Sequence, residues 1–129
     1  MEAERAFPVI HRLLSAGDWR AFSAALGAIE WRCSGEDLAG RIERSALPPW
    51  LPDLVRLEWA RRRAADEPRG ARESDHVMLN PTLQVLQLQW RLCALADGKE
   101  SAPPKRAEEW ALVWRHPTTD EIISKAAEP

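Results

Sequence analysis

Through the first half of the chain apolar residues recur at spacings of three and four, and in parts of the second half they alternate at spacings of two. Helices are therefore predicted first and strands later. Phe7-Pro8-Val9-Ile10 leads into a helix through His11-Arg12-Leu13-Leu14, because a proline in a first turn lacks only an N–H that would be unpaired there anyway. Ser15-Ala16-Gly17 is expected to end it. Asp18 is then the predicted N-cap of a second helix whose buried stripe is Trp19, Phe22, Leu26 and Ile29. Ser34 caps a third, short helix, with Asp37 as a capping-box partner and Leu38 and Ile42 facing inward, although Gly40 weakens it.

Leu47-Pro48-Pro49-Trp50-Leu51-Pro52 cannot be a helix interior, since its prolines remove donors and hold the preceding residues extended; it predicts a rigid elbow. From Pro52 to Arg62 strong helix formers follow, with an acid in the first turn and arginines in the last, matching the helix dipole at both ends. Asp66 to Asp75 mixes charge with Pro68 and Gly70 and has no hydrophobic period, which marks a solvated linker.

Beyond the linker Leu86, Leu88 and Trp90 alternate with Gln87 and Gln89, the pattern of a half-buried strand. Leu83 and Val85 have the opposite parity, so the slip at Val85-Leu86 is either a β-bulge or the end of one strand and the start of another element. Gly98 to Pro104 is a loop. Trp110 to Arg115 is a second strand with Trp110, Leu112 and Trp114 on one face, expected to pack inward. In the tail, Thr118 with Glu121 resembles a capping box while Ile122-Ile123 favours a strand. These elements make an α+β architecture, an N-terminal helical bundle followed by a small C-terminal β-containing region: a helical unit over 1–66, a linker over 67–75 and a small sheet-containing domain over 76–129.

Composition narrows the function. With 129 residues, 45% of them hydrophobic and 29% charged, the chain can bury a core and lacks the signature of disorder. A formal net charge of −2 supplies no global field for nucleic acid or an anionic membrane. Cys33 and Cys93 stand far apart without a C-x-x-C spacing, and the charged start Met1-Glu2-Ala3-Glu4-Arg5 is followed by no apolar run of spanning length, so a reducing cytoplasm is expected.

Candidate chemistry is sparse. His11, His76, His116 and the two cysteines form no spacing that gathers ligands around a metal, and no glycine pattern of a phosphate or dinucleotide cradle occurs. Glu58, set in an apolar helix, is either a buried acid with a raised pKa or half of a structural ion pair with Arg62, and the pair is the reading favoured. Arg61-Arg62-Arg63 with Arg69 and Arg72 is the only local argument for nucleic acid, and Asp66, Glu67, Glu73 and Asp75 nearly cancel its charge. Seven tryptophans without a tyrosine are mostly core anchors, but Trp90, Trp110 and Trp114 on two short strands also suit a groove for a partner segment. No catalytic residue and no cofactor is expected.

The stretch Leu47-Pro48-Pro49-Trp50-Leu51-Pro52-Asp53-Leu54-Val55-Arg56-Leu57-Glu58-Trp59-Ala60 resembles the L-P-x-x-L-P-D-L-A-R-L-E-W-A signature of a bacterial family labelled as DNA-binding. That family includes the HvfC/BufC-type peptide-modification chaperones and, more distantly, the methanobactin biosynthesis partner MbnC. Phe7-Pro8-Val9-Ile10, Leu79-Asn80-Pro81-Thr82-Leu83 and Ala111-Leu112-Val113-Trp114-Arg115 are similar to three further family segments in the same order. The resemblance implies a helical unit followed by a small sheet domain. It also implies an adaptor role beside a TIM-barrel, multinuclear iron oxidase that modifies cysteines of a ribosomally made precursor peptide. The family has a helix before its F-P-V-V segment and another after its last strand, so the comparison implies a shortened chain here.

The expected function is thus a non-catalytic partner binding enzyme and precursor peptide, with a DNA-binding transcriptional regulator as the alternative. Trp110, Leu112, Trp114, Arg115, Trp50 and Arg62 are the candidate partner-binding residues. The strand 110–115 is expected either to offer an open backbone edge, to which a leader segment adds as a further strand, or to have that edge covered by Thr119–Lys125 or by the partner enzyme.

Overall fold

A computed structural model of the chain describes residues 2–67 and 82–127. The order is α1 (Ala3–Ala6), α2 (Pro8–Leu13), α3 (Ala16–Leu26), α4 (Gly35–Glu43), α5 (Leu51–Asp66), β1 (Gln84–Leu88), α6 (Cys93–Ala96), β2 (Glu109–Arg115) and β3 (Ile122–Ala127). The fold is α+β, with most helices N-terminal and the strands C-terminal. Of the linker expected over 67–75, all but Glu67 lies outside the described residues.

Pro8 stands at the start of α2, as its chemistry requires. The helix after it starts three residues earlier than the sequence pattern indicates: the Ser15 hydroxyl accepts the Asp18 amide at 3.2 Å, so Ser15 is the cap and Asp18 sits in the first turn. That helix ends at Leu26, where Gly27 takes φ 66°, leaving Ile29 buried but beyond the helix. Ser34 caps α4 by accepting the Asp37 amide at 3.0 Å, with Leu38 and Ile42 buried beneath.

α5 is buried on almost every side, including Leu51, Leu54, Val55, Leu57, Trp59 and Ala60. A helix covered all round must be sandwiched, and this one lies between the helices and the sheet. Phe7 stacks on Trp59 with ring centroids 6.1 Å apart and meets Phe22 edge-on at 5.7 Å. The Trp59 indole donates to the Cys33 carbonyl at 3.0 Å, which satisfies its one polar atom. On the other side Gln84 Nε2 donates to the Ala60 carbonyl at 2.8 Å, and Arg61 donates to the Ser124 hydroxyl at 2.6 Å. The buried residues of helices and sheet join in one hydrophobic cluster.

The sheet is antiparallel, in the order β1-β2-β3. Gln84 pairs with Val113 and Leu88 with Glu109 in an unbroken register, so there is neither a bulge nor a break at Val85-Leu86. Leu86 and Leu88 face the core, while Leu83 and Val85 are exposed. The apparent slip arises because both faces of this strand carry apolar residues. The ambiguous tail is a strand.

Candidate functional site

Alternation along β2 puts Glu109, Ala111 and Val113 against the core, and Trp110, Leu112 and Trp114 together on the opposite face. The three side chains share one face, as their spacing requires, but it is the outer one. They do not pack inward. Ala111 and Val113 are fully buried at the centre of the inner face, between Glu109 and Arg115. Register extends the outer face across the sheet: Val85 lies opposite Leu112 and Gln87 opposite Trp110 on one side, with Ile123 opposite Trp114, Lys125 opposite Leu112 and Ala127 opposite Trp110 on the other. Val85 is 56% exposed, Trp110 45% and Leu83 41%, which makes this the main apolar surface among the described residues.

The central position of β2 changes the expected mode of binding. Both its edges are occupied, Leu112 pairing with Val85 and with Lys125, so no strand can add there. The edge is covered by the tail, one of the alternatives drawn from the sequence.

The other candidate residues serve the fold. Trp50 is 8% exposed and belongs to the core. Arg62 donates to Asp66 at 2.9 Å, one turn on, rather than to Glu58. Arg115 lies on the inner face and donates to the carbonyls of Ala65 and Glu67 at 3.2 and 2.6 Å, closing the C-terminal end of α5. Within the arginine run Arg61 is engaged by Ser124 and Asp97, and Arg63 by the carbonyls of Trp31 and Cys33. Arg69 and Arg72 lie outside the described residues. The phosphate contacts that the DNA-binding alternative would draw from Arg61-Arg62-Arg63 thus compete with intramolecular partners.

Three buried acids went unrecognised as anchors. Glu58 accepts the amides of Val9 and Ile10 at 2.8 and 2.9 Å, holding the first turn of α2 across 49 and 48 residues of sequence. Burial pushes its carboxyl up to about 7, against those two hydrogen bonds and the charges of Arg61 and Arg12. Glu109 accepts the amides of Leu92 and Cys93 at 3.0 and 2.9 Å. Burial, reinforced by the Glu109 charge, pushes the Cys93 thiol well above its ordinary range and favours its neutral form. Asp53 accepts from Arg56 and from the Gln89 amide, both at 2.6 Å. The apolar setting of Glu58 marked it as a possible buried acid, but no signal gave the backbone amides that Glu58, Glu109 and Asp53 accept, since every residue type presents those alike.

Among the described residues no group of three or more His, Cys, Asp or Glu side chains is arranged to hold a metal. No helix among them is long and apolar enough to cross a membrane. The chain matches no protein-family model, and a search of curated proteins returns no match.

Proposed function

We propose that the chain is a non-catalytic cytoplasmic adaptor that holds a multinuclear iron oxidase of TIM-barrel type together with its ribosomally made precursor peptide. The observation that carries this reading is the outer face of the sheet, where Leu83, Val85 and Trp110 are exposed beside Leu112, Trp114 and Ile123. A contiguous apolar face over a well-anchored sheet marks an interaction surface rather than a reaction centre. The resemblance of Leu47–Ala60 to the peptide-modification chaperones supplies the class of partner; in the fold that segment leads into α5 and makes up its first part, and α5 supports the sheet from beneath. Two free, buried cysteines accord with a reducing compartment.

The test is to look for an iron oxidase and a cysteine-containing precursor among the genomic neighbours of the coding sequence, and to reconstitute them with the chain, following peptide mass. Modification should require the chain, and Val85→Glu or Trp110→Ser should weaken assembly roughly tenfold or more while leaving the far-UV circular dichroism spectrum unchanged. Equal modification without the chain would refute the adaptor role. Turnover by the chain alone would make it an enzyme.

A further inference from the structure

We propose that the outer face of the sheet receives an acidic, apolar peptide segment whose carboxylate is set against Lys125. This deepens the adaptor reading by naming the chemistry of the partner, and rests on it only in taking that face as the docking surface.

The argument is one of charge complementarity on a defined face. By register the outer positions of the three strands are Val85 and Gln87 on β1, Trp110, Leu112 and Trp114 on β2, and Ile123, Lys125 and Ala127 on β3. Lys125 is the one charged side chain at these positions and is exposed. It stands directly opposite Leu112 and one step diagonally from Trp110 and Trp114, within reach of long side chains on a sheet face. Among the described residues it has no ion-pair partner, whereas the basic side chains directed at the core have theirs: Arg61 meets Asp97 and Arg115 meets Asp120. The nearest acid in sequence before β2, Glu108, is engaged by the Trp110 indole at 3.2 Å.

A surface of this kind favours a segment with large apolar side chains for the tryptophans and one acid for the ammonium, and it disfavours a basic segment by direct repulsion. A second copy of this chain fits less well, because outer face against outer face would bring two lysines together, and the paired outer positions of the three strands hold no acid to set between them. A nucleic acid would find one cation there, where phosphate recognition needs several.

Lysine on an edge strand also guards against edge-to-edge association, and the experiment separates the two roles. A random-peptide library displayed on phage is selected on the immobilised full chain and, in parallel, on Lys125→Glu, Lys125→Ser and Trp110→Ser. The wild type should enrich apolar sequences containing Asp or Glu. Lys125→Glu should reverse that preference toward Lys or Arg, and Trp110→Ser should lose both. A synthetic peptide from the enriched pool should bind Lys125→Glu roughly tenfold or more weakly than the wild type. Enrichment without a charge preference, no enrichment at all, or binding that survives Trp110→Ser would each overturn the proposal. So would unchanged selection by a Lys125→Ser protein that self-associates, since Lys125 would then be an edge guard alone. Tighter binding of a labelled oligonucleotide than of the peptide would replace it with a nucleic-acid surface. Because the selection contains no oxidase, its outcome is independent of whether the chain assists that enzyme.

Discussion

Glu58 is nearly out of contact with water, yet both its oxygens are occupied by amides that a helix start would otherwise leave unpaired. Burial disfavours the charged form by more than the amides favour it, so its pKa rises from 4.5 to about 7. A folded-state pKa above the unfolded one means that the native protein binds the extra proton. The stabilisation is therefore fully present below about pH 4.5 and is lost as pH rises through about 7. Urea titrations across that window should show the wild type losing up to about 3 kcal/mol from this group. Glu58→Gln should remove that slope while lowering stability at acid pH by about 1 kcal/mol, since an amide can accept only one of the two N–H groups without opposing the other. An unaltered slope in the variant would show that the titration belongs to another residue.

At the scale of elements, α5 works as a beam with an anchor on each side. Glu58 fastens α2, whereas Asp53 reaches the Gln89 amide just after β1 and fixes where that strand ends. Arg56 ties the same helix to α4 through Glu36 at 2.9 Å and Glu43 at 3.0 Å, and to Asp53 at 2.6 Å. Burial works against the Arg56 charge, but those carboxylates outweigh it and its pKa rises. Asp53→Leu leaves the Gln89 amide without its acceptor and removes one of the Arg56 partners, so it should destabilise by about 2–4 kcal/mol in chemical denaturation. Asp53→Asn keeps an oxygen for the amide and should lose roughly half as much. Equal effects of the two substitutions would mean that the backbone contact contributes nothing.

Over the whole molecule, helices and sheet share one hydrophobic cluster, and α5 packs against both. With the core shared, the sheet cannot lose its inner face without exposing α5, so unfolding is expected to be a single cooperative event. Far-UV circular dichroism, which weights the helices, and tryptophan fluorescence, which samples Trp90, Trp110 and Trp114 as well as the helical tryptophans, should give coincident urea transitions. Two separated midpoints would show that 1–66 and 76–129 fold as independent units.

Periodicity and local chemistry gave no sign of α1 or α6 and left β3 undecided, but they were sufficient for helices first and strands later, the place of Pro8 in a first turn, the cap at Ser34, the parity of Leu86 and Leu88, and the grouping of Trp110, Leu112 and Trp114 on one face. Each of these is a relation between residues a few positions apart, which the backbone geometry of helix or strand fixes by itself. Which face of β2 turns inward was a different question. Alternation is symmetric, and the packing against α5 decided it: Ala111 and Val113 turn inward, and the tryptophans are left outside as a candidate docking face. The same is true of β2 becoming the central strand, which decided between the open and the covered edge that the sequence had left as alternatives, and of Glu58 bonding Val9 and Ile10 rather than Arg62. Those outcomes depend on partners 7 to 49 residues away, many of them backbone groups that every residue type presents alike, and only the packed tertiary structure selects among them.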